Sequence, residues 1–531
     1  MKTINLHPFL GINNRLPAAS LKAEAGRWLK NAENVDIRND GSIVRRRGTV
    51  LVQAMSDAHS LFENLLVRGS ALYTFAITSG TYSETLVSVL SNDSPMSYWR
   101  IGSVVFMSNG TDAFKWNGTT LLPWAMPAPV FGSVETLAGG TLLPGKYLLA
   151  LAYSSAGGAN NAIEGVLSTP IQITVTSDGG FKIPKPTNIP PEADNIRVYL
   201  SGLEGGAMYR ATSMWSGSSA THINVTGSFG LRDANWRHES ALPAGTQVVE
   251  HNGRLCSVVG DTLYVGLPYR HGYYEPASGF VRFHAAIKLV APVQGGLYVV
   301  ADKTYFLSGA DIQQAEAMRE VYPYSGVPGT MFKHPTKTAV GWMGNRGIVV
   351  GDPLGQVAEL SAEAVYHASV PASGASRVVS DAERDAVVCA GYCTNLANGS
   401  VTKYTGYDFN SYAGSYALKS DGLWQLDMDK PVSAMVDFGS EDFGSDYEKS
   451  MPACYIGMAG DAPLMLTVSQ PDGSEYDYEA RSYSETLDIH RIDTGRGLRS
   501  SWFGLKLSNI DGADFELQSV AFTPAQQTRR I

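Results

Sequence analysis

Short runs in which apolar and polar residues alternate recur along most of the chain, separated by Asn-Gly or Asp-Gly pairs. Period-two alternation bounded by such pairs predicts half-buried strands joined by tight turns. VDIRNDGSIVRRRGT (35–49) reads as a hairpin across Asn39, Asp40 and Gly41. VVFMSNGTDAFKWNG (104–118) turns at Asn109-Gly110 and again at Asn117-Gly118. HNGRLCSVVGDTLYVG (251–266) pairs an RLCSVV strand with a TLYVG strand. The same scheme returns at 288–309, 339–353 and 377–392. One segment breaks the pattern: Leu21, Ala25, Trp28 and Leu29 fall at i, i+4, i+7 and i+8 behind Ser20. That spacing predicts a short helix capped by the serine.

A strand, a tight turn and a strand ending in an aromatic, repeated at roughly 40–50 residues, is the outline of β-propeller blades. An array of β-sandwiches is the competing architecture. Residues 127–245 depart from the repeat. They open at the Pro-rich PAPV (127–130) and continue through LLPGKYLLALAYSSAGG (142–158), LSTPIQITVT (167–176) and NIRVYLSG (195–202). Alternating strands with prolines at their edges predict a small fibronectin-III-like sandwich. The expected fold is therefore all-β: propeller over 1–126 and 246–430, an inserted sandwich over 127–245, and a C-terminal β module over 431–531. The module is expected to end in a hairpin across Asp511-Gly512.

Composition agrees with this picture and narrows it. A chain of 531 residues is too long for one core, and roughly two to four units are expected. Charged residues are only 17 %, below the usual share of about a quarter, and 55 glycines supply turns. The net charge of −9 argues against a tight grip on DNA, which needs a basic patch. It suits a conduit through which DNA slides. Cys256, Cys389, Cys393 and Cys454 are too few for a disulfide framework and lack zinc spacing, so buried free thiols are expected. The opening MKTINLHPFL has no signal-peptide core, and no apolar run approaches a membrane span.

Several segments imitate catalytic motifs. Gly140 to Tyr147 (GTLLPGKY) nearly spells a phosphate-binding loop, but Tyr147 stands where Ser or Thr is needed and a strand follows. Asp437-Phe438-Gly439 and Asp442-Phe443-Gly444 resemble a kinase metal-binding triplet without its companion motifs. The acidic run Asp437, Glu441, Asp442, Asp446 and Glu448 lacks the alternation of a calcium loop and reads as solvated. No catalytic constellation, metal site or cofactor is expected. Arg45, Arg46 and Arg47 form the one triple basic run. On a strand Arg45 and Arg47 share a face, and Arg46 takes the other. They are expected either to guard an exposed edge strand by charge or to serve assembly or contact with passing DNA.

Three stretches together resemble a known group. FLGINNRLPAASL (9–21) followed by LKNAENVDIRNDGSIVRRRGT (29–49), then LLPGKYLLALAYSSAGG through NIRVYLSGLEGG (142–206), and finally TGRGLRSSWFGLKLSNIDGADFELQSVAF (494–522) occur in that order. They resemble the tail hub or nozzle proteins, the packaged-DNA stabilisation-like proteins, of short-tailed bacteriophages. The resemblance implies a propeller subunit of a hexameric ring in the virion tail. Such a ring meets portal and adaptor proteins, carries tail fibres or a needle, and touches the DNA it retains and releases. The alternatives are a receptor- or glycan-binding propeller and a polysaccharide-cleaving one.

Overall fold

The computed structural model describes residues 4–530 except 156–163, 228–238, 310, 314–317, 368, 446 and 496, with backbone only from 526 onward. The chain is all-β: among the described residues the one helical element is a three-residue 3-10 turn, Ala18–Ser20. It divides into a larger unit (residues 1–93, 288–312 and 316–531) and a smaller one (residues 94–287 with 313–315).

In the larger unit, antiparallel four-stranded meanders follow one another. One runs from Ala58–Phe62 to Thr81–Val89, a second from Leu289–Val293 to Met318–Tyr322, and a third from Phe332–Lys333 to Val357–Glu359. A fourth runs from Ser376–Ser380 to Val401–Lys403. The fifth sheet holds Ser411–Ala413, Tyr416–Lys419 and Gly422–Met428, and its fourth strand is Gly48–Ala54 from near the other end of the chain. Closing a late sheet with an early strand is how a propeller removes its seam. Neighbouring blades interlock through side chains. Tyr298 is fully buried, its hydroxyl donates to the Asp352 carbonyl at 2.7 Å, and its ring lies 5.4 Å from that of Trp342. The ring passes so close to Gly351 that a Cβ there would sit 2.5 Å from it.

The C-terminal module is a two-sheet sandwich. One sheet is ordered Asp488–Asp493, Ala453–Gly460, Phe515–Phe522, Ile43–Arg45, Val35–Ile37. The other runs Asn31–Glu33, Met435–Glu441, Phe503–Asn509, Leu464–Ser469, Glu475–Glu479. It continues through a single parallel bridge, Lys403 to Glu33, into the Ser376–Lys403 blade.

Here the structure corrects four expectations. Residues 4–45 belong to this module and not to the propeller, since eight of its core side chains, from Leu6 to Ile43, come from that stretch. The predicted helix at 21–29 is replaced by the strands Lys22–Ala23 and Gly26–Leu29. Gly26–Leu29 lies parallel to Phe9–Ile12, and this pairing overrides the local periodicity. Gly26, at φ 151°, approaches the Pro8 carbonyl so closely that a Cβ would fall 2.3 Å from it. Phe503–Asn509 and Phe515–Phe522 do not form a hairpin, because each joins a different sheet. The turn at Asp511 and Gly512, both at positive φ, carries the chain across the sandwich against Pro431 and Val432. Finally, Ile43–Arg45 is not an edge strand: it pairs with Val35–Ile37 on one side and Phe515–Phe522 on the other.

The smaller unit holds two blade-like sheets, 97–123 and 240–282, and a fibronectin-III-like sandwich between them in sequence. The sandwich sets three strands, ordered Glu135–Leu142, Gly179–Pro184, His222–Val225, against four. Those four are Ile171–Val175, Gly145–Ser154, Asn195–Ser201 and Met208–Trp215. Leu149, Leu151 and Tyr153 point into its core with Ile196, Val198 and Leu200, all at most 1 % exposed. Burying side chains of this size stabilises by about 1.5–3 kcal/mol each. The end of the 142–158 stretch, from residue 156 onward, lies outside the described residues. At the root of the insertion, the Trp124 indole donates to the Leu242 carbonyl at 2.9 Å.

Candidate functional site

A cleft of about 560 Å³ opens in the larger unit where the hairpin of Val35–Ile37 and Ile43–Arg45 meets the Ser376–Ser380 sheet. Its lining contains the Arg45-Arg46-Arg47 run together with Arg38, Arg377 and Arg384, faced by Asp36, Asp381, Glu383, Asp427, Asp461, Glu485, Asp514 and Glu516. The strands explain the placement. Asp36 is the central residue of a strand buried along its whole length, and Arg384 follows the tight turn that leads into Asp385–Cys389.

The charges are matched in detail. Asp36, 2 % exposed, forms an ion pair with Arg384, accepts the Tyr404 hydroxyl, and receives the Cys393 Sγ at 3.5 Å. Burial alone would lower the Arg384 pKa, but Asp36 and Tyr404 raise it well above its ordinary value. Burial, reinforced by Asp36, pushes the Tyr404 phenol far up. Arg377 pairs with Asp427 and donates to the Tyr407 hydroxyl at 3.2 Å. It too is raised: desolvation works against the shift and Asp427 drives it. Arg38 meets Glu383 at 2.5 Å and Glu516 at 2.8 Å.

The three residues singled out in the sequence separate. Arg45 is buried, with Nε donating to Asp514 at 3.0 Å and Nη1 to the Lys430 carbonyl at 2.6 Å. Arg46 is buried as well. Its guanidinium sits 5.2 Å from the ring centroids of both Tyr404 and Tyr407 and donates to Asn34 Oδ1 at 2.9 Å. Desolvation lowers its pKa, while the two tyrosines oppose the shift. Arg47 is exposed. The strand ends at Arg45, so simple alternation does not extend over the run. Asp36, Arg377, Arg384 and Tyr404 were not recognisable beforehand. The available signal was one charged residue inside the apolar strand VDI.

The cleft therefore has the character of a charged seam, in which cations and carboxylates from three sheets neutralise each other. Removing one member of such a buried pair typically costs about 3–5 kcal/mol.

The other motif-like segments do not converge on a site. Gly140 lies within one strand and Tyr147 within the next, so no helix N-terminus follows the loop between them. Asp437 faces Lys30 at 3.6 Å, Glu441 pairs with the buried Arg27 at 2.6 Å, and Asp442 caps the Gly444 amide at 2.8 Å. Glu448 lies in Tyr447–Ser450, and Asp446 is outside the described residues. Among the described residues no group of three His, Cys, Asp or Glu is placed to hold a metal ion. All four cysteines are buried and unpaired, and desolvation pushes the thiols of Cys256, Cys389 and Cys393 up to about 12. No helix among the described residues is long and apolar enough to cross a membrane.

The sheets define a β-propeller protein with an inserted sandwich and a C-terminal β module. No family model matches the chain, and neither does any curated protein. Among solved structures, an exo-β-1,3-galactanase from Phanerochaete chrysosporium is similar at 10 % identity and TM-score 0.19, over 81 % of this chain and 95 % of that one. An arabinoxylan arabinofuranohydrolase of glycoside hydrolase family 43 from Bacillus subtilis is similar at 10 % identity and TM-score 0.18, over 67 % and 94 %. The extracellular domain of a hybrid two-component system from B. thetaiotaomicron is similar at 8 % identity and TM-score 0.24, over 90 % and 78 %. Likeness at this level transfers no activity, and the fold rests on this chain's own strand pairing.

Proposed function

We propose that the chain is a non-catalytic building block of a short phage tail. In this reading it forms a ring, about six copies in number, that extends the DNA channel below portal and adaptor proteins, retains packaged DNA and lets it pass on ejection. The ring also carries fibres or a needle and resides in the virion. The observation that carries the reading is the charged seam. The cleft's arginines and carboxylates are largely spent on each other, tying the two chain ends to the last propeller sheets. A subunit braced in this way resists force, as a conduit for pressurised DNA requires. A rigid disc with loops on both faces suits the head-to-tail contacts of a ring. The resemblance of residues 9–49, 142–206 and 494–522 to tail hub and nozzle proteins points the same way.

Native mass spectrometry of the protein, alone and with its adaptor, tests this. A ring of about six subunits under either condition is expected. A monomer under both overturns the reading.

A second reading, a receptor- or glycan-binding propeller, is favoured by exposed aromatics in the smaller unit: Tyr269 at 84 % and Trp215 at 65 % exposure. Tyr269 holds φ 57° with its ring laid over Gly253, so it is presented on a fixed platform. Aromatic faces of this kind stack on sugars. Binding to host polysaccharide that is lost in Tyr269→Ala would support it, and release of sugar would mark a cleaving enzyme.

A further inference from the structure

Four Asn-Gly pairs stand in the chain, at 109–110, 117–118, 252–253 and 398–399. Such a pair carries a latent reaction, because glycine puts no side chain in the way of its own amide nitrogen. That nitrogen attacks the asparagine Cγ and gives up its proton to solvent as the N–Cγ bond forms. The Cγ–Nδ2 bond then breaks, ammonia leaves with a proton returned from solvent, and a cyclic succinimide remains. Water opens the ring at either carbonyl, giving aspartate or isoaspartate. Water is the one co-reactant, and nothing is oxidised or reduced. The rate therefore turns on two nitrogens, the glycine N as nucleophile and Nδ2 as leaving group, and on room for the peptide to turn.

The fold holds both nitrogens in three of the pairs. Asn109 is 3 % exposed, its Nδ2 donates to Asp112 Oδ2 at 3.1 Å, and the Gly110 amide donates to Ser108 Oγ at 3.4 Å. Asn252 Nδ2 donates to His251 Nε2 at 3.0 Å, and the Gly253 amide to Glu250 Oε1 at 2.5 Å. Asn398 Nδ2 donates to the Arg38 carbonyl at 3.1 Å, and the Gly399 amide to the Asn395 carbonyl at 2.9 Å. Space is short at each of these glycines. A Cβ would sit 3.5 Å from Thr246 at Gly110, 2.9 Å from the Tyr269 ring at Gly253 and 2.8 Å from the Leu360 carbonyl at Gly399.

The fourth pair differs on every count. Asn117 and Gly118 are both exposed, and a Cβ on Gly118 would meet nothing within 4 Å. Among the described residues no hydrogen bond engages Asn117 Nδ2 or the Gly118 amide. Asn117 Oδ1 alone is held, by the amides of Thr119 at 3.0 Å and Thr120 at 2.8 Å and by the Thr119 hydroxyl at 3.0 Å. These bonds draw electron density from Cγ and leave both reacting nitrogens uncommitted.

We infer that Asn117 is a self-modification site, where the native protein converts asparagine to aspartate and isoaspartate well before its other Asn-Gly pairs react. This holds whether or not the chain forms a ring. The position gives the change a consequence. The turn joins Ala113–Trp116 to Leu121–Pro123, the outermost strand of its sheet, and Trp124 at the root of the insert follows directly. Aspartate keeps the side-chain acceptor and adds a negative charge. Isoaspartate lengthens the backbone and removes the acceptor on which the Thr119 and Thr120 amides rest. Ageing of the protein thus loosens first the turn that leads into the insert.

The test incubates the full chain at mildly alkaline pH, below its unfolding temperature, and follows each Asn-Gly peptide by mass spectrometry. Conversion reads as ammonia lost and water gained, and fragmentation separates isoaspartate from aspartate. Asn117 should convert at least about tenfold faster than Asn109, Asn252 or Asn398, the factor expected where two hydrogen bonds must first break. In the same chain held unfolded in denaturant, the four rates should converge, because only neighbours in sequence then act. Any of the other three reacting as fast as Asn117 in the native chain overturns the inference, and so does an unreacted Asn117. A preference for Asn117 that persists undiminished in denaturant overturns it too, since sequence and not the fold would then select the site.

Discussion

Two β-sandwiches in this chain are built in opposite ways. The inserted one takes all seven strands from residues 135–225 in one pass. The terminal one joins strands from residues 4–45 to strands beyond 431, with the propeller sheets of the larger unit and the whole smaller unit between them in sequence. Loop closure over so long a span is cheaper than it looks, because each doubling of loop length adds only about 0.6 kcal/mol. Against that stand eight core side chains contributed by the N-terminal stretch, from Leu6 to Ile43. Burial at about 1.5–3 kcal/mol for a large side chain outweighs the closure term. The cost appears in kinetics, since pairing partners far apart in sequence meet slowly. A contiguous sandwich draws its core from one stretch of chain, whereas a terminal sandwich must wait for both chain ends.

The largest expected effect comes from separating the two designs. Deleting residues 1–45 should leave the C-terminal core without its N-terminal strands and abolish that unit's cooperative transition in calorimetry. Residues 126–227 expressed alone should fold and melt reversibly. A truncated chain that keeps its full set of transitions would break the comparison.

Next in size is Asp36→Ala, which strands the buried Tyr404 hydroxyl and leaves Arg384 with the more exposed Asp381. It should destabilise the larger unit by about 3–5 kcal/mol in denaturant unfolding and leave the insert's transition in place. The counterpart in the smaller unit is Glu164→Ala, which removes the partner of Arg197 and of the Tyr199 hydroxyl. A loss of about 1–3 kcal/mol confined to that unit is expected.

A smaller effect is pH-dependent. Burial beside Phe106, whose ring centroid is 5.5 Å away, holds the His271 pKa below its ordinary 6.5. The unfolded chain therefore takes up this proton first as the pH falls. The stability contributed by neutral His271 is complete above 6.5 and is lost as the pH falls through the depressed folded value. His271→Gln should flatten that part of the pH profile of thermal unfolding in the smaller unit alone. The smallest effect is expected for Arg47→Ser, within about 0.5 kcal/mol, because the side chain is exposed. If that substitution nevertheless disrupts the ring or its salt dependence, Arg47 is the member of the run that serves assembly, freed from the structural work of Arg45 and Arg46.

Much of the fold was open to reading residue by residue. The hairpin 35–49, the turns at Asn109-Gly110 and Asn117-Gly118, and the strands of the insert follow from alternation and turn chemistry. Gly41, Gly110 and Gly118 do take positive φ, which is the freedom those turns demand. These features depend on neighbours in sequence, where steric and turn preferences act directly. The cleft is different. Arg46 was visible as a basic residue, but its tyrosine cradle at 404 and 407 and its bond to Asn34 are products of folding. Asp36 gives no sign in sequence that its partner stands at Arg384.

What the sequence determined by itself is therefore the material: an all-β chain, its strand lengths, most of its turns, and cysteines suited to the interior. Tertiary structure alone decided which strands became neighbours. It made Gly26–Leu29 a strand instead of a helix, sent the two arms of 503–522 to different sheets, and placed Ile43–Arg45 inside a sheet rather than at its edge. The physical reason is that local preferences amount to a few tenths of a kcal/mol per residue, while burial and ladder pairing contribute kilocalories per side chain. Where the two conflict, the long-range terms win.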